Sequence, residues 1–565
     1  MATRLGDLVR HLPARMRLEG TAKQSIEIAR HRLVITGVLF AVAFAIVGLR
    51  LVDVTILKEG HEPRMVRLPK SELQTERADI VDRNGVLLAT SLATGSLYAN
   101  PKLILDANET AAKLTRVLPG LNEKEVAGKL SSERSFVWLR RNLTPKEQYA
   151  VNRLGIPGLF FQREERRVYP HGALTAHIVG FTDIDKRGLA GVEQYFDERL
   201  KQSNDPLRLS IDIRVQHLVR EEILGAMQEF RAIGAAAMVL DVQTGELLAM
   251  VSLPDFDSNA PGQSEPETRF NRNTLGVYEP GSTFKIFNTA MALDGGVSTM
   301  NSTYDATKPI QVSRFTISDF HPEKRWLSVP EIFMHSSNIG SVRIAMDAGR
   351  DRQREFLGRF GFLKAPTIEL PEIGGPLVPS PWRDINMMTI AFGHGISVTP
   401  LQLVSGTAAV VNGGVLRPVT LLRRDDASTP NGVRVISART SDQMRRLMRL
   451  VVEKGTAKSS NVPGYLVGGK TGTAEKIVNG RYKRDARISA FVGAFPMNQP
   501  RFVLYAMLDE PKGNKSTYGY ATAGWVVAPA VGRMITKIAS LYGIAPVDDN
   551  APALQEQLFI NVAVR

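Results

Sequence analysis

Three short polar motifs lie in order along the chain: Ser282-Thr283-Phe284-Lys285, Ser336-Ser337-Asn338 and Lys470-Thr471-Gly472-Thr473. Between them they provide a serine nucleophile, an amine, a second serine hydroxyl, an amide and a further cation. A serine alcohol is a poor nucleophile until a neighbouring base takes its proton, so an amine near the serine has a defined chemical use. The three motifs therefore predict acyl transfer through a serine ester.

The first motif places a candidate base one helical turn from the candidate nucleophile. Glu279-Pro280-Gly281 precedes Ser282 and is typical of the start of a helix. Positions three apart share a helix face, so Lys285 is expected beside Ser282. A lysine accepts a proton only when it is neutral, and burial and a nearby cation both lower its pKa. Lys470 is the candidate for that cation, and the helix N-terminus offers N–H groups to an oxyanion.

This prediction depends on the order of the three motifs, because each short motif alone indicates little. A Ser-x-x-Lys pattern is expected by chance about twice in a chain of this length at ordinary residue frequencies. Ser-x-Asn is equally weak, whereas Lys-Thr-Gly-Thr at the end of an apolar strand is much rarer. All three motifs in this order, each in a suitable local context, predict one composite active site.

The composition limits the other chemistries open to the chain. Its 565 residues include no cysteine, which excludes disulfides, thiolate catalysis and cysteine metal sites. The sequence has no His-Glu-x-x-His motif, no Walker lysine loop and no Gly-x-Ser-x-Gly elbow, and we expect no metal or cofactor.

Lysine and arginine number 71 against 57 aspartates and glutamates. This excess could attract a polyanion, but we interpret it as solubilising charge spread over the surface. No dense basic run with interleaved aromatic residues is found, so nucleic-acid binding is not expected.

An uncharged apolar run near the N-terminus predicts a membrane-spanning helix. Residues 33–49 contain no charged side chain and no proline. Extended to residue 52, the run can cross ~30 Å of hydrocarbon at ~1.5 Å per residue. Basic residues outnumber acidic ones before it, which favours a cytoplasmic N-terminus. A cleaved signal peptide is the alternative, although no small-residue cleavage site follows the run.

Small residues recur within the predicted span, at Gly37, Ala41 and Ala45. A spacing of four residues places them on one helix face, where they would let a partner helix approach closely. The alternative is that glycine and alanine are simply common in membrane helices.

Apolar runs and turn residues predict the elements that must position the motifs. Asp82-Arg83-Asn84-Gly85 predicts a hairpin between two apolar runs, and Asp212 predicts the N-cap of a helix. A second hairpin is predicted around Thr244-Gly245. Further strands are predicted at 467–473, 488–495 and 502–508, with a turn at Asn479-Gly480 and a helix at 528–542. This order indicates an α+β domain with a central antiparallel sheet flanked by helices.

The chain resembles the class B penicillin-binding proteins, monofunctional peptidoglycan D,D-transpeptidases, over roughly residues 76–542. Arg83-Asn84-Gly85 and residues 167–193 are similar to motifs of the family's dimerisation domain, although Ala78 stands where the family usually has glycine. Residues 244–250 and 398–402 also match. Tyr278-Glu279-Pro280-Gly281-Ser282 and residues 518–525 resemble division-type (FtsI-like) members.

The resemblance implies a domain order and catalytic roles. It implies a cytoplasmic tail (1–32), a transmembrane helix (33–52), a pedestal or dimerisation-type domain (53–211), a transpeptidase domain (212–545) and a C-terminal tail (546–565). Ser282 would attack the carbonyl of the penultimate D-alanine of a stem pentapeptide, with Lys285 as general base. Ser336 would relay a proton to the leaving amine, and backbone N–H groups of Ser282 and Thr473 would form the oxyanion hole.

The resemblance also implies how the substrate is held. Asn338 would bind the amide of the acyl chain, and Lys470 would supply positive potential. The hydroxyls of Thr471 and Thr473 would bind the terminal carboxylate, and Gly472 belongs to the same binding strand. An amine of a neighbouring stem peptide would then resolve the ester as a 4→3 crosslink, and β-lactams would acylate the same serine.

Implied partners and location follow from the same family. The implied partners are a polytopic membrane glycan polymerase (FtsW-like) and other divisome proteins. The implied location is the bacterial inner membrane, with a single-pass anchor and a periplasmic catalytic domain at the division site.

Several related activities remain as alternatives. An elongation-type transpeptidase, a D,D-carboxypeptidase and a non-catalytic penicillin-binding scaffold or sensor share much of the pattern. A β-lactamase would need its own deacylation base and has no use for a span and a pedestal. A bifunctional synthase would need a glycosyltransferase domain, and the pedestal pattern fills that interval instead.

Overall fold

The computed structural model describes residues 14–52, 77–312, 315–424, 431–478 and 481–562. Residues 1–74 and residues 75–565 form two compact units. The first unit contains helix α1 (Ala14–Val52). Its apolar side chains from Leu33 to Leu49 are exposed. Within the described part of the chain, α1 is the one helix long and apolar enough to cross a membrane.

The second unit begins with the pedestal. Its strands are β1 (Ile80–Val81), β2 (Leu87–Ala99), β3 (Val137–Leu143), β4 (Leu159–Val168) and β5 (Leu207–Arg208), and its helices are α2 (Ala107–Val117), α3 (Glu123–Leu130), α4 (Pro145–Asn152), α5 (Ala176–Val179), α6 (Gly191–Tyr195) and α7 (Asp197–Gln202). The sheet has the order β3-β2-β1-β5, and β4 also pairs with β2.

The predicted hairpin at residues 82–85 is confirmed, since β1 and β2 pair in antiparallel fashion. The Asp82 carboxylate accepts hydrogen bonds from the N–H groups of Asn84 at 2.7 Å and Val86 at 2.9 Å. Gly85 completes the turn with a φ of 88°, a conformation that glycine adopts without steric cost. The turn chemistry of the sequence therefore determines this local structure.

A buried cluster of charged side chains joins three segments of the pedestal. The Glu193 side chain is fully buried and receives Arg77 Nη2 at 2.5 Å and Arg167 Nε at 2.7 Å. Arg167 also donates to the backbone oxygens of Arg77 and Ala78. One carboxylate thus joins β4 and α6 to the segment that leads into β1.

The rest of the second unit, from residue 212 onward, is called the catalytic domain here after the role predicted for it. Its strands are β6 (Gly234–Asp241), β7 (Leu247–Leu253), β8 (Thr303–Asp305), β9 (Ile310–Val312), β10 (Phe315–Ile317), β11 (Trp326–Ser328), β12 (Val415–Leu416), β13 (Val433–Arg434), β14 (Gly468–Val478), β15 (Arg481–Phe495) and β16 (Phe502–Asp509). Its helices are α8 (Ile213–Glu229), α9 (Lys285–Asp294), α10 (Val329–His335), α11 (Asn338–Ala348), α12 (Arg350–Arg359), α13 (Asp384–Ile390), α14 (Pro400–Val411), α15 (Ala438–Glu453), α16 (Ala523–Val526), α17 (Ala528–Leu541) and α18 (Pro552–Leu558).

The central sheet of this domain has the order β14-β15-β16-β6-β7 and is antiparallel throughout. Every residue of β7 and β16 is buried, so both faces of the sheet are covered. Helices α8, α14 and α15 pack against the sheet, and α17 packs on α8. The predicted α+β fold is confirmed, whereas the predicted turn at Asn479-Gly480 lies outside the described residues.

The start of the catalytic domain forms as its sequence predicts. Asp212 caps α8 by accepting the N–H of Arg214 at 3.1 Å. The predicted second hairpin pairs β6 with β7. The hydrophobic core that contains this hairpin also includes Ile80 and Leu88 of the pedestal, so the pedestal and the catalytic sheet share apolar packing.

The end of the chain differs from the tail predicted for residues 546–565. Helix α18 forms there, and Leu558 is only 1% exposed because it packs into the core of the catalytic domain. The preceding residues are also fixed, since Val547 donates its N–H to the oxygen of Gly464 at 2.9 Å. The last described segment is therefore part of the folded domain.

Candidate active site

Ser282 lies on a tight turn directly before a helix. A 3₁₀ turn of residues Gly281–Phe284 runs into α9, and Lys285 is the first residue of that helix. The side chain of Ser282 is partly exposed, whereas Lys285 is 1% exposed. Gly281 has a φ of 54°, and a Cβ there would meet the oxygen of Thr473 at 3.3 Å. The Pro280-Gly281 pair therefore allows the turn to sit close to strand β14.

The Lys285 amine connects the first motif to the second. Its Nζ donates to the backbone oxygen of Ser336 at 2.5 Å, to Ser336 Oγ at 3.1 Å and to Asn338 Oδ1 at 2.7 Å. Burial is the main cause that lowers the pKa of Lys285 well below its ordinary value; the charge of Lys470 adds to this effect and that of Asp319 opposes it. A neutral amine is thus available as a base at lower pH than for an exposed lysine.

The Lys470 amine reaches the same hydroxyl from the other side. Its Nζ lies 3.0 Å from Ser336 Oγ and 3.3 Å from the oxygen of Thr471. Lys470 is fully buried, and burial lowers its pKa to about 7. The Ser336 hydroxyl therefore bridges the two buried amines and is placed to relay a proton between them.

The backbone of Ser336 is held in an unusual conformation. It ends α10 with φ 61° and ψ 41°, a left-handed conformation that is rare for a residue with a Cβ and is often found at functional sites. This bend points the Ser336 oxygen and hydroxyl at Lys285.

An aspartate that the sequence analysis missed fixes the second motif. Asp319 accepts hydrogen bonds from the N–H groups of Asn338 at 2.5 Å and Ile339 at 2.9 Å, and from Ser337 Oγ at 2.8 Å. It thus caps the N-terminus of α11, where a negative charge is favourable. Asn338 Nδ2 donates to the oxygen of Ser318, so both ends of its amide are held.

The third motif forms strand β14 at the edge of the sheet. A Cβ on Gly472 would lie 2.8 Å from Thr283 Cγ2 and 2.9 Å from the oxygen of Pro280, so glycine permits the strand to touch the turn that carries Ser282. Thr471 Oγ1 lies 2.6 Å from Thr456 Oγ1, and Thr473 Oγ1 accepts the N–H of Ala523 at 3.3 Å. The two threonines share one face of the strand.

The structure brings the predicted residues together with one difference from the expected pattern. Lys285, Ser336, Asn338 and Lys470 form a continuous hydrogen-bonded group, and Gly472 contacts the turn of Ser282. Within the described residues, however, the Ser282 hydroxyl has no hydrogen bond to Lys285, whose amine is directed to the second motif. Catalytic hydrogen bonds are often long in the free enzyme and tighten when substrate binds.

Two further side chains border the site and were not predicted. Glu279 accepts the N–H of Gly395 at 2.8 Å and the hydroxyl of Tyr482 at 3.0 Å, and burial raises its pKa. Burial is the main cause that lowers the pKa of His394 to about 4, so this imidazole is neutral. The segment before Ser282 contains Glu279 but does not predict the role of its side chain, and His394 belongs to no short motif, so only the folded structure places these two side chains at the site.

The site has no arrangement typical of a metal centre. In the part of the chain that the structure describes, no group of three or more His, Asp or Glu side chains is placed to hold a metal ion.

Models of two protein families match the chain. The penicillin binding protein transpeptidase domain matches residues 235–531, and the penicillin-binding protein dimerisation domain matches residues 72–209. These matches fall within the segments predicted for the transpeptidase domain (212–545) and the pedestal (53–211), whose outer boundaries remain predictions.

Relatives of known type are similar over most of their length. The chain is 41% identical over 482 residues to the probable peptidoglycan D,D-transpeptidase FtsI of Caulobacter vibrioides, covering 83% of this chain and 82% of that protein. It is 30% identical over 547 residues to the peptidoglycan D,D-transpeptidase FtsI of Escherichia coli, covering 90% and 91%. The crystal structure of penicillin binding protein 3 of Mycobacterium tuberculosis with aztreonam has a TM-score of 0.66 at 24% identity, covering 86% and 99%. By its two matched domains and these relatives, the chain belongs to the class B penicillin-binding proteins.

Proposed function

We propose that the chain is a serine-type peptidoglycan D,D-transpeptidase that forms an acyl ester on Ser282. The observation that carries this proposal is the pair of buried lysines on either side of Ser336, one of which lies three residues after Ser282. The relatives named FtsI are described as peptidoglycan D,D-transpeptidases. The same activity is therefore the one that the site and the family together favour.

The acylation step uses Lys285 as the base. The neutral amine takes the proton of the Ser282 hydroxyl while its oxygen bonds to the carbonyl carbon of the penultimate D-alanine. The backbone N–H groups of Ser282 and Thr473 stabilise the oxyanion. The carbon–nitrogen bond then breaks, and the proton passes through Ser336 to the departing D-alanine amine, which leaves Lys285 neutral again.

Substrate binding uses the strand and the second motif. The Lys470 cation and the hydroxyls of Thr471 and Thr473 bind the terminal carboxylate; the approach of β14 to the turn that carries Ser282, at Gly472, supports this role. Asn338 holds the amide of the acyl chain once substrate displaces part of its contact with Lys285. Gly472 is required for the strand to approach the nucleophile.

The second half-reaction releases the enzyme. An amine on a neighbouring stem peptide attacks the ester carbonyl, its proton returns to the Ser282 oxygen by way of Lys285, and a 4→3 crosslink forms. A β-lactam presents a strained amide in place of D-Ala-D-Ala and leaves Ser282 acylated.

A labelling experiment tests the nucleophile. The full-length chain in detergent is incubated with a fluorescent penicillin, together with Ser282→Ala and the exposed control Ser459→Ala. We expect a long-lived label on the wild type and the control only. Rapid loss of label would indicate a β-lactamase, and no label on any of the three would indicate a non-catalytic scaffold.

The acceptor distinguishes a transpeptidase from a carboxypeptidase. A D-Ala-D-Ala peptide is supplied with an amine acceptor, and the products are identified by mass spectrometry. Amide-linked product supports the proposal, whereas free acid with every acceptor supports the D,D-carboxypeptidase.

We further propose that α1 anchors the chain in the inner membrane with a cytoplasmic N-terminus and a periplasmic catalytic domain. The exposed apolar surface of α1 supports this placement, and the excess of basic residues before it supports the orientation. Reporter fusions at each terminus test the orientation, since only a periplasmic terminus activates alkaline phosphatase.

Action at the division site with an FtsW-like polymerase and other divisome proteins is also proposed. Gly37, Ala41 and Ala45 form the candidate partner face on α1. Ala41→Leu is expected to weaken co-purification of the polymerase, while Ala43→Leu, about 200° around the helix axis, serves as the matched control. Equal recovery with both variants would mean that the face meets lipid. A fluorescent fusion that follows the side wall rather than the septum would favour the elongation-type alternative.

A further inference from the structure

A cavity of about 240 Å³ lies where the pedestal meets the catalytic domain, and no active-site residue lines it. Phe181 and Leu189 of the pedestal and Phe256 of the catalytic domain form apolar parts of its wall. His177, Arg269 and Glu372 contribute polar groups. The volume is below the ~300–1,000 Å³ typical of pockets for drug-sized ligands, so the cavity suits a small molecule.

Glu372 presents an incompletely bonded carboxylate in this wall. Its Oε1 accepts the N–H of Gly191 at 3.0 Å, but its Oε2 is buried with no hydrogen-bond partner among the described residues. Among the described residues, no cation lies close enough to pair with the Glu372 carboxylate. Burial raises the pKa of this carboxyl. A buried acceptor left without a partner is costly, so a donor supplied by a ligand would be favoured here.

Arg269 provides the opposite charge at the same cavity. Its side chain is exposed, and among the described residues it forms no ion pair. A guanidinium offers several donors that match a carboxylate in geometry. An unpaired cation and an unpaired anion thus line one small space.

His177 adds an acceptor. Its Nε2 lies 2.9 Å from the oxygen of Thr268, and because a carbonyl can only accept, Nε2 carries the hydrogen. Burial lowers the pKa of His177 to about 4, so the ring is neutral and Nδ1 has a free lone pair. Nδ1 has no hydrogen-bond partner among the described residues, so it is available to accept one.

We propose that this cavity binds a small zwitterion of the α-amino acid class. Its ammonium group pairs with Glu372 and donates to His177, and its carboxylate pairs with Arg269. The apolar wall of Phe181, Leu189 and Phe256 receives a short side chain.

Such a ligand would contact both domains, because residues of both line the cavity. On the pedestal side, Gly191 donates its N–H to Glu372. On the catalytic side, Thr274 Oγ1 donates to the backbone oxygen of Glu372 at 2.6 Å, and Thr274 lies eight residues before Ser282 in the chain. Binding to the folded state alone raises its stability by linkage. Occupation of the cavity is therefore expected to stabilise the junction of pedestal and catalytic domain.

The binding test uses the full-length chain in detergent with Ser282 already acylated by benzylpenicillin, so that the active site cannot take the probe. Glycine and D-alanine are titrated by calorimetry, beside N-acetylglycine, which lacks the ammonium, and glycinamide, which lacks the carboxylate. We expect saturable binding of the two zwitterions and binding at least ~10-fold weaker for each singly charged probe, because each loses one charged hydrogen bond.

Variants identify the site. Glu372→Gln and Arg269→Gln are each expected to weaken glycine binding at least ~10-fold. Glu267→Gln, at an exposed position in the same segment as Arg269, is expected to bind as the wild type does. Arg269 is exposed, so its variant keeps the test valid even if Glu372→Gln folds poorly.

Absence of saturable glycine binding, or equal binding by the wild type and Arg269→Gln, would overturn the proposal. The initial acylation by benzylpenicillin reports the proposed transpeptidase site separately, so failure of one proposal is distinguishable from failure of the other.

Discussion

Gly472 gives the sharpest test of how the active site is assembled. Its backbone φ lies outside the left-handed range, so replacement by alanine adds a methyl group without backbone strain. That methyl would lie 2.8 Å from Thr283 Cγ2 and 2.9 Å from the oxygen of Pro280, whereas ordinary contacts begin at 3.4 Å. Strand β14 and the turn that carries Ser282 must therefore separate.

The expected magnitude follows from that separation. Bringing the contacts at 2.8 and 2.9 Å to 3.4 Å requires a movement of about 0.5–0.6 Å, which reaches the ~0.5 Å tolerance within which catalytic groups must be held. A misplacement of ~1 Å can cost ~10²-fold in rate. We expect Gly472→Ala to slow acylation of Ser282 by about 10- to 100-fold, with an overpacking cost of ~1–3 kcal/mol in the free energy of unfolding.

Stopped-flow acylation with a chromogenic cephalosporin measures the rate, and thermal denaturation measures the stability. Gly262→Ala is the matched control, because a Cβ there meets nothing within 4 Å. Acylation of Gly472→Ala within about 2-fold of the wild-type rate would refute the inference that this contact positions Ser282.

Three further predictions follow from the buried charges. Lys285→Gln is expected to slow acylation at least ~10²-fold by removing the base, with the exposed Lys515→Gln as control; a near-normal rate would exclude Lys285 as the base. Lys470 is charged below its pKa of about 7, so the second-order acylation rate for carboxylate-bearing β-lactams is expected to fall as pH rises through 7. Lys470→Gln should flatten that decline, and an unchanged pH profile would contradict the role. Glu193→Gln leaves buried Arg167 without its anion and Arg77 with Asp197 alone, and is expected to lower the free energy of unfolding by ~3–5 kcal/mol; an effect as small as that of exposed Glu198→Gln in denaturant titrations would disprove it.

Much of the fold could be predicted from local sequence, because short-range chemistry determines those elements. The turn at residues 82–85 depends on Asp82 and Gly85, and α8 begins at its Asp212 cap. Helix α18 was missed because its stability comes from Leu558 packing into a distant core. No local sequence pattern in residues 546–565 predicts that contact.

The residues of the site could be predicted from the sequence, but the hydrogen bonds that join them could not. The spacing of Ser282 and Lys285 placed both on one turn, as observed, yet the amine bonds to Ser336 and Asn338 rather than to Ser282. The left-handed backbone of Ser336 and the Asp319 cap of α11 determine this choice. Both depend on segments brought together by tertiary folding, which residue spacing does not encode.

The shared hydroxyl of Ser336 explains how two lysines can have different roles. Both amines lie within 3.1 Å of its oxygen, so their nitrogens are at most ~6 Å apart, and two positive charges at that distance repel by ~2.8 kcal/mol at an effective dielectric constant of ~20. Burial already disfavours each charge, so a single proton between the two amines is the stable arrangement near neutral pH. Burial is the main cause that lowers the pKa of Lys285 well below its ordinary value, and the charge of Lys470 lowers it further, so a proton on Lys470 beside a neutral Lys285 is the arrangement consistent with their proposed roles. The repulsion thus keeps one of the two lysines neutral, so that one can attract a carboxylate while the other accepts the proton of Ser282.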